Sequence, residues 1–81
     1  MGHVHSQKLF GSQVRSLRQQ AGISQAELAL RSGIFRTHLS RIECGTANPT
    51  LAAIVALAQA LNVEPRALLD SRSTSGSPVA A

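Results

Sequence analysis

Four side chains that can hydrogen-bond to nucleic-acid bases recur at helical spacing near the middle of the chain. These side chains are Arg36, Thr37, Ser40 and Arg41. An arginine guanidinium donates two parallel hydrogen bonds, which match the O6 and N7 atoms of guanine as well as phosphate oxygens. Serine and threonine hydroxyls also bond to base edges. A helix over residues 36–44 that turns this polar edge outward predicts recognition of double-stranded DNA.

The other reactive residue types are too few for catalysis or metal binding. The chain has four acidic residues, three histidines and one cysteine, Cys44, and they assemble no nucleophile–base pair and no paired carboxylates. One cysteine cannot form an intrachain disulfide or a cysteine-based zinc site. His3 and His5 supply too few ligands for a structural or catalytic zinc ion. We therefore expect no enzymatic activity, no metal site and no cofactor.

Length and composition indicate one small helical domain with a basic surface. The 81 residues suffice for one core only. The chain is 43% hydrophobic but only 2% aromatic, so a core of Leu, Ile, Val and Ala is expected, which favours helices. The formal net charge is +4, and seven of the eight basic residues are arginine. This balance is compatible with DNA, although the excess of charge is modest.

No segment of the sequence predicts contact with a membrane. No stretch approaches the roughly 20 apolar residues that cross a bilayer. The N-terminus has no pattern of a signal peptide. We expect a cytoplasmic protein.

Five helices with short connections are predicted, which is an all-α architecture. Apolar residues at spacings of three and four, with stop and start signals between them, place the helices over 9–20, 25–32, 36–44, 51–61 and 65–69. Ser24 and Thr50 are candidate N-caps, and Pro65 suits a first helical position. The predicted ends are Gly22, Gly33, Gly45 and Asn62. We expect a domain over 8–70, with flexible tails over 1–7 and 71–81.

The second and third helices have the outline of a helix-turn-helix. Both are short, and Gly33 lies in the tight turn between them. Apolar residues on their inner faces are expected to set the angle between the helices. The predicted core includes Leu28, Leu39, Ile42, Leu57 and Leu61.

Three segments in order resemble the Cro-type family of phage-repressor-like, or xenobiotic-response-element-like, helix-turn-helix proteins. They are VRSLRQQAGISQAELALRSGI, RTHLSRIECG and NPTLAAIVALAQALNVEPRALL. The resemblance covers residues 9–69 and implies five helices with DNA-binding activity. The run RTHLSRIE followed by NPTL is similar both to restriction-modification controller proteins and to stand-alone repressors, and it does not choose between them.

The resemblance also implies roles for individual residues. Arg36 and Thr37 match positions at which the third helix enters the major groove, and Ser40 and Arg41 match positions that reach bases or the flanking backbone. The implied phosphate contacts are Gln25, Thr46 and Asn48, to which His38 is added from its place on the third helix. Arg18 and Glu43 match an ion pair that joins the first and third helices.

Two features depart from the family pattern. Phe35 lies where a polar N-cap of the third helix is common, and its ring is expected near a thymine methyl group or the domain surface. The loop from Gly45 to Asn48 is neutral where Lys or Arg is frequent. Fewer phosphate contacts lower the salt dependence of binding.

A homodimer on a pseudo-palindromic operator is the assembly we expect. Two third helices would enter successive major grooves about 34–36 Å apart. The candidate dimer interface is Val55, Val63, Leu68 and Leu69. No small-molecule effector is expected, because the chain has little room for a pocket. The alternative is an adaptor or antitoxin-like interaction module that keeps the fold without recognising a DNA sequence, and the neutral loop favours it.

Overall fold

The computed structural model describes residues 2–69, with side chains from residue 6 onward. These residues form five α-helices joined by short loops, and no strand. The helices are α1 (Gly2–Gln20), α2 (Gln25–Ser32), α3 (Arg36–Cys44), α4 (Leu51–Leu61) and α5 (Pro65–Leu69). The predicted all-α class is confirmed. The predicted bounds of α2 to α5 are also confirmed.

Local side-chain and backbone signals explain where the middle helices begin and end. The Ser24 hydroxyl accepts a hydrogen bond from the Glu27 N–H (3.0 Å), and the Thr50 hydroxyl accepts one from Ala53 (3.1 Å). Each bond satisfies a backbone donor that has no partner within its helix. The residue after α2, Gly33, has a φ of 76°. Glycine adopts this left-handed conformation without a steric penalty, so the chain can turn sharply into α3.

The first helix begins earlier than the sequence indicated. It starts at Gly2 rather than near Leu9, so the predicted start of this helix is wrong and residues 2–7 are helical. Residues 3–8 contain no proline or glycine, and extending an existing helix adds one hydrogen bond for each residue ordered. The predicted tail over 71–81 lies outside the described residues.

The core draws a fully buried aliphatic side chain from every helix. These residues are Val14, Leu28, Leu39, Ile42, Leu57 and Leu68. The five core residues predicted from periodicity are all buried, Leu61 included. Burying a side chain of this size contributes about 1.5–3 kcal/mol. The aliphatic core therefore holds α2 and α3 at a fixed angle against the other helices.

The first and third helices approach closely at Gly11. A β-carbon at this position would collide with the carbonyl oxygen of Ile42 and would lie 2.8 Å from that of Glu43. Both atoms belong to the backbone of α3 and cannot move independently of the helix. Gly11 thus permits a helix contact that no larger residue allows, and this contact supports the C-terminal half of α3.

Candidate nucleic-acid interface

The polar edge of α3, defined as Arg36, Thr37, Ser40 and Arg41, faces outward. Arg36, Thr37 and Arg41 are exposed, and Ser40 is half-buried. The opposite face of the helix is buried through Leu39 and Ile42. Among residues 6–69, no helix therefore covers Arg36, Thr37 or Arg41.

The two arginines of this edge keep their charge available for a partner. Arg31 pairs with Glu27 at 2.8 Å, and Arg66 lies 3.9 Å from Glu64. Among residues 6–69, no ion pair involves Arg36 or Arg41. A guanidinium without a carboxylate partner can donate its full fork to phosphate or to guanine.

A charged cluster fixes α3 relative to α1 and α2. Arg18 donates from Nε to Oε2 of Glu43 (2.8 Å) and from Nη2 to Oε1 (3.1 Å). Its Nη1 atom donates to the carbonyl oxygen of Ile23, which follows the end of α1 (3.1 Å). The Arg18–Glu43 ion pair that the family resemblance implied is present. It is largely buried, so it restricts the position of α3 more strongly than a solvated pair does.

Gln25, the predicted phosphate contact at the start of α2, joins the same cluster. Its Nε2 atom donates to Oε1 of Glu43 (3.2 Å), and the residue is half-buried. A carboxamide nitrogen carries two N–H groups, so one remains for another acceptor. Sequence reasoning missed the bond to Glu43, because the two residues are 18 positions apart.

The other predicted phosphate contacts lie around the C-terminal half of α3. His38 and Asn48 are exposed. Thr46 is also exposed, and its hydroxyl donates to the Arg41 carbonyl oxygen (3.3 Å), which the Thr46 N–H also contacts (3.0 Å). These bonds close the C-terminus of α3 and hold the start of the following loop beside it.

Phe35 caps α3 without a side-chain hydrogen bond. It is the N-cap residue, and its side chain accepts no bond from the first turn. The residue is 84% exposed. A large apolar ring therefore lies at the N-terminal tip of α3, immediately before Arg36.

The candidate dimer residues differ in how much surface they offer. Val55 and Leu69 are exposed and Val63 is half-buried, but Leu68 is only 1% exposed. Leu68 packs inside the core of its own chain, so its assignment to an interface is wrong. Sequence reasoning missed Leu9, which is exposed and lines a groove with Leu69 between α1 and α5. We call the groove lined by Leu9 and Leu69 the apolar end surface.

The described residues form no group of three or more side chains able to hold a metal ion. The side chains of His3 and His5 lie outside the described residues. None of the helices described is long and apolar enough to cross a membrane.

Comparison with known proteins places this geometry in a family. A model described as a helix-turn-helix domain matches residues 9–71. The chain is 45% identical to an HTH-type transcriptional regulator of Sinorhizobium fredii, y4dJ, over 69% of this chain and 73% of the relative. It is 43% identical to the control protein C.BamHI of Bacillus amyloliquefaciens, over 76% of this chain and 78% of that protein.

A solved structure has the same arrangement of helices. The restriction-modification controller protein C.AhdI of Aeromonas hydrophila superimposes with a TM-score of 0.75 at 42% sequence identity, covering 76% of this chain and 94% of that one. The predicted five-helix architecture and the resemblance to a helix-turn-helix family are thereby confirmed. The chain belongs to the helix-turn-helix family of DNA-binding transcriptional regulators.

Proposed function

We propose that this protein binds a specific double-stranded DNA sequence as a homodimer, with the polar edge of α3 in the major groove, and thereby regulates transcription. The observation that carries the proposal is the outward position of Arg36, Thr37 and Arg41 on a helix whose other face is buried. The two arginines have no ion-pair partner among residues 6–69. The positive charge of the two arginines and the outward position of α3 therefore both suit contact with the edges of base pairs.

Each polar side chain of this surface is assigned a base or a phosphate according to its position and reach. Arg36, at the first position of α3, is assigned a guanine, because N-terminal residues of a groove-inserted helix contact bases. Thr37, Ser40 and Arg41 extend the same contact by one turn. Gln25 is assigned a phosphate through its second N–H, while its first remains on Glu43. The remaining phosphate contacts are assigned to His38, Thr46 and Asn48.

The apolar end surface supports the homodimer. Leu69 is 60% exposed, and exposed leucines that share a groove are costly to leave in water. A two-fold axis through this surface would present two copies of α3 to successive major grooves about 34–36 Å apart. A pseudo-palindromic operator follows from that symmetry. Regulation would act through protein concentration and dimerisation.

The controller proteins among the relatives suggest a biological setting. C.AhdI is a restriction-modification controller, and C.BamHI is a control protein. A regulator named only as HTH-type is equally similar in sequence. A role as controller of a restriction-modification system and a role as a stand-alone regulator are both consistent with these relatives.

Selection from randomised DNA duplexes tests this function directly. We expect enrichment of one motif with two related half-sites. Raising the salt concentration from 50 to 200 mM should lower the affinity, because salt opposes the counterion release that accompanies phosphate contacts. Binding without enrichment of any motif would overturn the proposal.

A protein-interaction module is the second candidate. The neutral loop from Gly45 to Asn48 favours it, because this loop adds no cation beside the polar edge of α3. In the same selection such a module would bind no duplex or would bind all duplexes alike. The selection therefore discriminates between the two functions.

A further inference from the structure

We propose that Phe35 recognises a thymine methyl group in the operator, next to the base pair that Arg36 contacts; this inference rests on the proposed DNA-binding function. Four observations lead to it: the exposure of the ring, the missing side-chain cap, the position of the residue immediately before α3, and the apolar depression beside it.

Among residues 6–69, the ring is not part of the core. Phe35 is 84% exposed, whereas the other phenylalanine, Phe10, is 7% exposed and belongs to the core. Phe35 also occupies an N-cap position, where its side chain makes no hydrogen bond to the helix. Serine, threonine, aspartate or asparagine would satisfy a backbone donor there. A phenylalanine at this position therefore benefits neither the core nor the helix, which points to a contact outside the chain.

The location of the ring limits what it can contact. Phe35 precedes Arg36, the first residue of α3, and both are exposed. A helix that inserts its N-terminal end into the major groove would carry this ring in with Arg36. The C5 methyl group of thymine is the apolar feature that base pairs display in the major groove, and phenylalanine is one of the side chains that contact it.

An apolar depression lies beside the ring. Phe35 lines a shallow depression together with Ala29, Leu30, Ile34 and the turn at Gly33. Leu30 is itself 78% exposed. Such an apolar surface favours contact with a methyl group, because the contact removes apolar area on both sides from water. The depression continues to Arg36, so the apolar and basic contacts form one surface.

Chain geometry predicts where the thymine lies. Consecutive Cα atoms are about 3.8 Å apart, and successive base pairs are about 3.4 Å apart. Neighbouring side chains therefore reach the same or neighbouring base pairs. We expect the thymine within about two base pairs of the guanine bound by Arg36.

Replacing single thymines by deoxyuridine tests the inference on the duplex obtained by selection. Deoxyuridine removes only the methyl group and leaves base pairing intact. For the wild-type protein we expect one thymine in each half-site at which the replacement weakens binding about fourfold, the value of one buried methyl group. For Phe35→Ser the same replacement should change nothing. Thymines elsewhere in the duplex serve as internal controls.

A matched protein control is available outside the depression. Leu51→Ser removes a large exposed apolar side chain from α4. This variant should keep the fourfold sensitivity to deoxyuridine near the Arg36 guanine. Melting curves of both variants verify that each is folded.

Several outcomes would overturn the inference. One is the absence of any sensitive thymine near the Arg36 guanine, and another is an equal loss in wild type and Phe35→Ser. A third is that Phe35→Ser and Leu30→Ser both change the oligomeric state without altering thymine sensitivity, which would assign the depression to a second copy of the chain. Failure of wild type to bind the unmodified duplex would instead refute the proposed function itself.

Discussion

Arg18 and Glu43 form an ion pair through two parallel hydrogen bonds that joins α1 to the helix carrying the polar edge. The Nε–Oε2 and Nη2–Oε1 distances are 2.8 and 3.1 Å, and the two side chains are 13% and 4% exposed. Removal of one partner leaves the other charge desolvated without compensation. The orientation of α3 therefore depends on a contact that lies away from its DNA-facing edge.

Glu43→Ala is expected to reduce the free energy of unfolding by about 3–5 kcal/mol, because Arg18 would lose its buried partner. The measurement is a thermal melt followed by circular dichroism. Glu27→Ala is the matched control, since it breaks an exposed pair with Arg31, and it should cost less than about 1 kcal/mol. A melting temperature for Glu43→Ala within about 4 °C of wild type would contradict the prediction.

Gly11→Ala is expected to destabilise the fold by about 1–3 kcal/mol, because its β-carbon meets the backbone of α3. Helix propensity alone predicts the opposite sign, a gain of about 1 kcal/mol. Chemical denaturation measures the difference. Ser12→Ala, at the exposed neighbouring position, should change stability by less than about 0.5 kcal/mol. A more stable Gly11→Ala variant would show that α1 and α3 do not approach so closely.

Arg36→Ala should abolish the preference for one base pair in each half-site, since a bidentate contact to guanine contributes about 1–3 kcal/mol of discrimination. The motif selected by the variant is compared with that of wild type. Arg66→Ala removes the same charge from α5, where the side chain is exposed, and should leave the motif intact. Identical motifs for wild type and Arg36→Ala would remove Arg36 from the base-contacting residues.

Leu69→Glu should weaken homodimerisation by a factor of about 100 or more, because each of two symmetric leucines loses at least about 1.5 kcal/mol of burial. Sedimentation equilibrium over a range of protein concentrations gives the dissociation constant. Leu30→Glu adds the same charge at an exposed leucine on α2 and should leave the dimer unchanged. Monomeric wild-type protein at high concentration and on operator DNA would refute the assembly.

Phe35→Ser should stabilise the fold by about 1 kcal/mol, since a serine hydroxyl can accept the backbone N–H that Phe35 leaves without a side-chain partner. The expected rise in melting temperature is about 4–8 °C. Phe35→Ala removes the exposed ring without supplying a cap, and its melting temperature should stay near that of wild type. A lower melting temperature for both variants would show that the ring stabilises the folded chain.

Local signals in the sequence were sufficient to predict most of the helix boundaries. Ser24 and Thr50 cap α2 and α4 because their hydroxyls reach backbone donors three residues away. The glycine after α2 ends the helix through its own backbone conformation. The start of α1 was predicted wrongly, since no local signal distinguishes residues 2–7 from a tail. Interactions within one turn can be recognised from residue order alone.

Periodicity predicted which face of α3 points outward, because Leu39 and Ile42 lie three positions apart with polar residues between them. The Arg18–Glu43 ion pair was predicted from the resemblance to a family. Sequence determined this much because the residue types themselves specify which side of a helix avoids water.

Tertiary structure alone decided which residues meet across the helices. The bond from Gln25 to Glu43, the close approach of α1 to α3 at Gly11 and the burial of Leu68 all depend on distances between helices. Leu68 and Leu69 are neighbours of the same residue type, yet one lies in the core and the other in solvent. Residue type cannot distinguish them, because burial is set by how α5 docks against the rest of the chain.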